Sequence, residues 1–428
     1  MRRRVGVQRN ERRPSPCVAT HPVLAAYRSP TSRHLYGISA VDFRRALGRV
    51  EDRRAKGIRA KGTNSVLSGA DRIPALDGLR ALSIGLVLLG HLAGTRHFLP
   101  LSSFRMFGDV GNLGVSVFFV ISGFLITTLL LAELTRTHRI DLARFYGRRA
   151  CRILPAAGVY LLVLALLGVA TPHLRLSTLD WRHALTFTMN YHQQRAWLVG
   201  HLWSLSVEEQ FYLLWPAAFV LFGRTGSLGL AGTAIAIAPV WRVCVWVLWP
   251  DAREGIGETF PTVMDAIATG CVLAGVASWL AERAWYRRFL TSPLIAAVLL
   301  VVLGSNALDR YPSFFLPLGM TVRNMGIAVI VHWSILRTNR FATLTLDCAT
   351  LRSIGRMSYS LYLWQQPFLN RHLAAIATTF PVSVAGAALC AALSFLCVEL
   401  PVLRLRDRLL TWSRSSRERF SLACSADL

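Results

Sequence analysis

Arg80 and His91 stand eleven residues apart within one apolar run, RIPALDGLRALSIGLVLLGHLAGT. Eleven residues is close to three helical turns, so on a helix both face one side, about 16 Å apart along the axis. A titratable ring inside such a run is costly to keep there and is by default a functional candidate. Histidine titrates near neutrality, so His91 can take a proton from a hydroxyl. The plainer alternative is a packing histidine bonded to a neighbouring helix. Further on, RFYGRRACRILP places Arg148 and Arg152 four apart, and Arg149 and Arg152 three apart, on one helical face. Clustered guanidiniums hold phosphate through forked hydrogen bonds, and coenzyme A carries several phosphates. Ordinary cationic anchoring at a membrane edge is the alternative.

Two adjacent carboxylates, Glu208 and Glu209, open the run HLWSLSVEEQFYLLWP and are expected at the outer edge of a span. Ser206 and Glu209 have the spacing of a capping box. The other carboxylate is then available to orient His91 or to bind acceptor hydroxyls. His201, expected in an outer loop, is a weaker candidate. Arg242 and Asp265 fall on adjacent apolar runs and can pair, a kind of buried pair that is often structural. Glu399 lies near the end of the last run and can reach Arg149 or Arg152. Asp77 can cap its helix or pair with Arg80. Gly111, Gly114, Ser116, Ser122 and Gly123 are small residues that let helices approach closely, and packing is the expected role for most of them.

The elements that must position these groups are membrane helices. The chain has 428 residues, 53% of them hydrophobic, and a mean hydropathy of +0.41. Ten apolar runs near the roughly 20 residues that a bilayer crossing needs occupy 79–96, 111–132, 153–170, 203–222, 228–249, 260–280, 292–308, 314–336, 354–373 and 380–403. The expected fold is therefore all-α, a polytopic integral membrane protein of about ten transmembrane helices. The net charge of +25 does not indicate nucleic acid, because its placement is that of a membrane protein. With the N-terminus inside, 37 of the 48 Lys and Arg fall on inside segments and 8 on the outside loops or, as Arg96 and Arg371, at the outer ends of spans. Both termini are therefore expected in the cytoplasm.

Residues 1–71 are basic and lack a long apolar run, so they are expected to be a disordered extension or an overlong start. Residues 72–408 form the membrane domain, and 409–428 a short cytoplasmic tail. The eight cysteines are scattered with no CxxC pair, and the histidines show no HxxxH or HExxH spacing. Neither a disulfide framework nor a metal site is expected.

A set of ordered motifs gives a resemblance. Arg80 and His91, the run from Gly114 to Phe124 containing FFVISGF, Arg149 with Arg152, HLWSLSVEEQFYLLWP with SYSLYLW from Ser358 to Trp364, and the closing Glu399 with Pro401 together resemble the acyltransferase-3 family of bacterial membrane O-acyltransferases. The resemblance covers about 72–405. It implies an acyl-CoA, acetyl-CoA above all, as co-substrate with no tightly bound cofactor. It also implies a sugar-containing acceptor in the cell envelope, and the bacterial inner membrane as location. His91, Arg80 and Glu209 then become catalytic candidates. Arg148, Arg149 and Arg152 become donor-binding candidates, with Glu208, Glu399 and Tyr359 as further site residues. One departure stands out. Many members carry histidine after the tryptophan, whereas Gln365 and Gln366 follow Trp364 here, and glutamine cannot serve as a base. The appended hydrolase-like domain of some members is not seen, so the chain resembles the stand-alone form. A carrier for lipid-linked saccharides is the competing class; it would favour internal repeats or matched broken helices, and the sequence shows neither.

Overall fold

A computed structural model describes residues 73–100, 107–336, 345–373 and 375–409. The basic extension expected at 1–71 and nearly all of the tail at 409–428 lie outside the described residues. The described chain is helical, with no strand among its elements. The first long helices are α1 (Pro74–Leu92), α2 (Val110–Thr137) and α3 (Leu142–Ala170). Asp109 and Asp141 cap α2 and α3 by accepting from Asn112 N–H and Arg144 N–H, both at 2.9 Å. These caps satisfy backbone donors that a helix start leaves free. Asp77 does not cap α1: the N-cap is Ile73, with no side-chain bond.

Two short helices follow, α4 (Thr178–Leu185) and α5 (Trp197–Gly200), before α6 (Leu202–Leu248). At 47 residues, α6 would measure about 70 Å if straight, over twice a hydrocarbon core. It is interrupted at Gly223, whose φ of 63° and ψ of −170° are open only to glycine. Each side of that break has about the length of one crossing. Next come α7 (Phe260–Glu282), α8 (Ala284–Thr291), α9 (Leu294–Ala307) and α10 (Met320–Leu336). The chain continues with α11 (Ala349–Arg356), α12 (Ser358–Phe368) and α13 (Val382–Ser394), and a π-turn, Phe395–Glu399, extends α13.

The expected count of ten spans is not reproduced. Seven described helices are long and apolar enough to cross a membrane, or eight if α8 and α9, bent by 74°, make one span. The difference has local causes. The runs 203–222 and 228–249 are joined in α6, α9 has only 14 residues, and the run 354–373 is divided between α11 and α12.

Small residues set the closest approaches, as expected for Gly114 and Gly123. A Cβ on Gly123 would collide with the Ile267 carbonyl of α7, and one on Gly270 with the Val120 carbonyl of α2. At the far end of α1, a Cβ on Gly90 would lie 2.7 Å from Gly111 N. Ser83 Oγ donates to the Gly114 carbonyl at 2.6 Å, tying α1 to α2. The core around these contacts is apolar, with Ile84, Val87, Ile126, Tyr160 and Val207 fully buried. Within it the expected Arg242–Asp265 pair is present: Nη2 to Oδ2 is 2.7 Å, both side chains are fully buried, and Thr321 hydrogen-bonds to each of them.

Candidate active site

Five helices converge on a cavity of about 680 Å³. Its cationic wall is Arg80 from α1 with Arg149 and Arg152 from α3. Arg80 sits in the second turn of α1, and the two others lie in the third turn of α3. Neither Arg80 nor Arg149 has a carboxylate within ion-pair distance among the described residues. The Arg149 guanidinium instead lies over the Tyr212 ring, 4.7 Å from its centroid, a contact that orients the group without neutralising it. Arg152 is engaged elsewhere as well, with Glu399 within its electrostatic reach.

Opposite stand Ser122 of α2, Glu208 and Tyr212 of α6, and Tyr359 and Tyr362 of α12. Ser122 Oγ donates to Glu208 Oε1 at 2.7 Å, and Tyr212 O–H reaches Oε2 at 3.2 Å. Tyr359 O–H donates to the Ile153 carbonyl at 2.9 Å, pinning α12 to α3. Tyr362 O–H bonds the His201 carbonyl and Ser204 Oγ, both at 2.6 Å.

Several expectations change at this point. Glu208 is not at an edge orienting His91. It lies two turns inside α6, in the arginine cavity, because the helix begins at Leu202. For the same reason Ser206 and Glu209 form no capping box: Ser206 Oγ donates to the Leu202 carbonyl within the helix and accepts from Met189 N–H. Glu209 does not line the cavity, and its buried Oε1 has no hydrogen-bond partner among the described residues. Arg148 also falls outside the cavity: its side chain is 35% exposed and faces Glu133 at 3.8 Å. Adjacent helical residues point about 100° apart, and here Arg149 turns toward the cavity while Arg148 turns toward Glu133. Glu399 is buried and accepts from Ser360 Oγ at the π-turn extending α13. Asp77 and Arg80 form no ion pair.

His91 belongs to a second cluster, near the opposite end of α1. Its Nδ1 is 3.2 Å from Gln365 Oε1. With that amide oxygen accepting, the proton sits on Nδ1 and the lone pair on Nε2. The ring is edge-on to Trp197 at 5.9 Å. Trp197 Nε1 donates to the Gln366 carbonyl at 3.0 Å, and Gln366 Nε2 returns a bond to the Trp197 carbonyl at 2.9 Å. The two glutamines that depart from the family pattern thus brace the histidine and its aromatic neighbour. His201 is buried rather than looped out, packed by Tyr160 and Tyr362, and neither ring nitrogen has a hydrogen-bond partner among the described residues.

A third layer supports Trp197. Asp180 accepts from Ala196 N–H at 3.0 Å and from Ser177 N–H and Oγ, while Ser177 caps α4 in a capping box. Burial pushes the Asp180 carboxyl up, but these hydrogen bonds outweigh it and hold the group below its usual range. Sequence reasoning missed Tyr212, Tyr362, Trp197 and Asp180. Three of these had a local signal: Tyr212 stands four residues after Glu208, Tyr362 three after Tyr359, and Asp180 three after Ser177 at the spacing of a capping box.

Among the described residues no group of His, Cys, Asp and Glu is arranged to hold a metal ion. A bundle of apolar, span-length helices enclosing a cationic cavity defines a multi-pass membrane protein with a polar internal site. The chain belongs to the acyltransferase family: the profile described as an acyltransferase domain matches residues 73–399. It is 27% identical over 371 residues to the peptidoglycan O-acetyltransferase OatA of Listeria monocytogenes, covering 77% of this chain and 56% of that one. It is 29% identical over 324 residues to the O-acetyltransferase OatA of Staphylococcus aureus, covering 69% and 50%. A putative peptidoglycan O-acetyltransferase of Bacillus subtilis, YrhL, is 27% identical, covering 69% and 48%. The chain therefore spans about half the length of these relatives. No solved structure matches it.

Proposed function

We propose that this protein is a membrane O-acyltransferase that moves an acyl group, acetyl above all, from acyl-CoA to a hydroxyl of a cell-envelope glycan. Peptidoglycan is the acceptor class that its relatives' names favour. The single observation that carries the reading is the convergence of Arg80 with Arg149 and Arg152, from helices more than 60 residues apart in sequence, on one cavity. Two of these guanidiniums have no carboxylate partner, which leaves their forks for the phosphates of the donor. Glu208, fixed by Ser122 and Tyr212, offsets part of the positive charge that would otherwise accumulate there.

His91 acts at the other end of the same helix, about three turns away. Coenzyme A has a long pantetheine arm between its phosphates and its thioester, so a separation of this kind suits it. The acceptor oxygen attacks the thioester carbonyl. A carbon–oxygen bond forms, the carbon–sulfur bond breaks, and Nε2 of His91 takes the hydroxyl proton and passes it to the leaving thiolate. With Gln365 Oε1 accepting from Nδ1, Nε2 is left unprotonated. The arginine side faces the cytoplasm in this reading, both termini lie there, and the membrane is the bacterial inner membrane. No tightly bound cofactor is required.

The test is purified full-length protein in liposomes, given acetyl-labelled acetyl-CoA and peptidoglycan. Label should appear as alkali-labile ester on the glycan. Label that stays on coenzyme A in the presence of folded protein and acceptor rejects the reaction.

A further inference from the structure

A second cavity, of about 700 Å³, opens at the His91 end of the bundle, and the donor site makes no use of it. Its walls are the start of α2, the end of α6 with the turn that follows, and the segment between α9 and α10. The first turn of α2 backs directly on the turn of α1 that carries His91, through the Gly90–Gly111 approach. His91 itself does not line the cavity.

The wall is a braced polar frame with spare capacity. Asn306 Nδ2 donates to the Phe107 and Asp109 carbonyls, and Asp309 Oδ2 accepts from Asp109 N–H at 2.7 Å. Arg323 is 3% exposed and donates to Asn306 Oδ1 and Ser116 Oγ, yet its buried Nε has no hydrogen-bond partner among the described residues. Each aspartate commits one oxygen within the frame, Asp109 Oδ1 and Asp309 Oδ2, and leaves the other uncommitted among the described residues. The Asn112 side-chain amide is likewise uncommitted. Arg253 lies over the Trp246 ring at 4.6 Å, making an aromatic wall beside these groups.

This chemistry selects its ligand. Asp109 and Asp309 are matched by Arg253 and Arg323, so the lining has no net formal charge and lacks the cationic excess that a polyphosphate such as the donor calls for. Free acceptors and free donors side by side suit a molecule that offers both, as a sugar hydroxyl does. With Arg253 over one face of Trp246, the other face or the edge of that ring is what is left to meet the apolar face of a sugar. We infer that this cavity holds a saccharide unit of the acceptor glycan, one that neighbours the sugar whose hydroxyl reacts at His91. The assignment rests on the glycan acceptor proposed above.

The probe is a peptide-free tetrasaccharide of alternating N-acetylglucosamine and N-acetylmuramic acid, titrated calorimetrically against the full chain in nanodiscs. Asn112→Ala, Asp309→Asn and Trp246→Ala are the variants. Asn112→Ala and Asp309→Asn preserve the bonds that brace the frame, since asparagine can still accept from Asp109 N–H. Each is expected to weaken tetrasaccharide binding by about 2- to 10-fold, the worth of one hydrogen bond. The acceptor KM should rise in step, with kcat and the acyl-CoA KM held. Wild-type protein that does not bind the tetrasaccharide overturns the assignment, and so do folded variants that bind it as wild type does. Cavity-dependent binding without any transfer from acyl-CoA would reject the proposed reaction and keep the saccharide site. Transfer with an unchanged acceptor KM in all three variants would do the reverse.

Discussion

At the scale of the residue, the proposed reaction assigns the base to His91 and the donor phosphates to Arg149 and Arg152, and each assignment has a sharp test. His91→Gln keeps polarity and approximate size but removes the base. General-base assistance is worth about 10²–10⁴-fold, so transfer should fall at least about 100-fold while the melting temperature stays near wild type. Normal transfer by the folded variant would make His91 structural. Arg149→Ala combined with Arg152→Ala removes charge-assisted bonds worth about 1.5–3 kcal/mol each. The acyl-CoA KM should rise by about tenfold or more, with membrane insertion intact. Lys at both positions should restore only part of the affinity, because an ammonium cannot make the forked contact. A double Ala variant with an unchanged donor KM would reduce these arginines to membrane anchors. Arg148→Ala should differ from both, since its side chain faces Glu133 and lies outside the cavity.

At the scale of the element, the segment from Ser177 to Gly200 meets the histidine through one ring, that of Trp197. Asp180 holds Ala196, which begins the turn that presents Trp197 to His91. Asp180→Ala is therefore expected to lower kcat several-fold and leave the acyl-CoA KM unchanged. The pH dependence has a definite sign. The folded-state pKa of Asp180 is depressed, so its stabilising contribution is complete above about pH 4, the usual range of an aspartate. That contribution is lost as pH falls through the lower folded value. Acid exposure below about pH 4 should loosen this segment in wild type, read by hydrogen exchange at Ala196, and should change the Ala variant less. Equal acid sensitivity in both would remove Asp180 from this role.

At the scale of the whole molecule, α6, α7 and α10 are joined by the buried set of Arg242, Asp265 and Thr321. Arg242→Ala leaves a carboxylate buried without its partner, a loss of about 3–5 kcal/mol. Replacing both Arg242 and Asp265 with apolar residues of similar volume should be far milder. Thermal unfolding in detergent separates the two, and equal losses would mean that the set is not coupled. Orientation is a separate matter. The arginine asymmetry places a reporter fused after Arg253 outside and one fused after Arg288 inside. The opposite pattern would reverse the membrane sidedness of both cavities.

Much of this was legible in the sequence, for a local reason. Helix formation and membrane burial are written in runs of apolar residues, and Arg80, Arg149 and Arg152 announce themselves as charges at helical spacing within or beside such runs. The ordered motifs sufficed to indicate the family. What the sequence left open depends on contacts between helices. Glu208 and Glu209 are neighbours, yet only Glu208 lines the cavity, because the packing of α6 turns Glu208 toward Ser122. Gln365 read only as a missing histidine until the fold placed it against His91, 274 residues away in sequence. The count of about ten spans is not confirmed, since α6 joins two crossing-length stretches at Gly223 and α9, α11 and α12 are short. Periodicity within a segment fixes which residues share a helix face. Which faces meet, and at what axial register, is decided by backbones brought into contact at residues such as Gly123, Gly270, Gly90 and Gly111, and that is a property of the packed bundle alone.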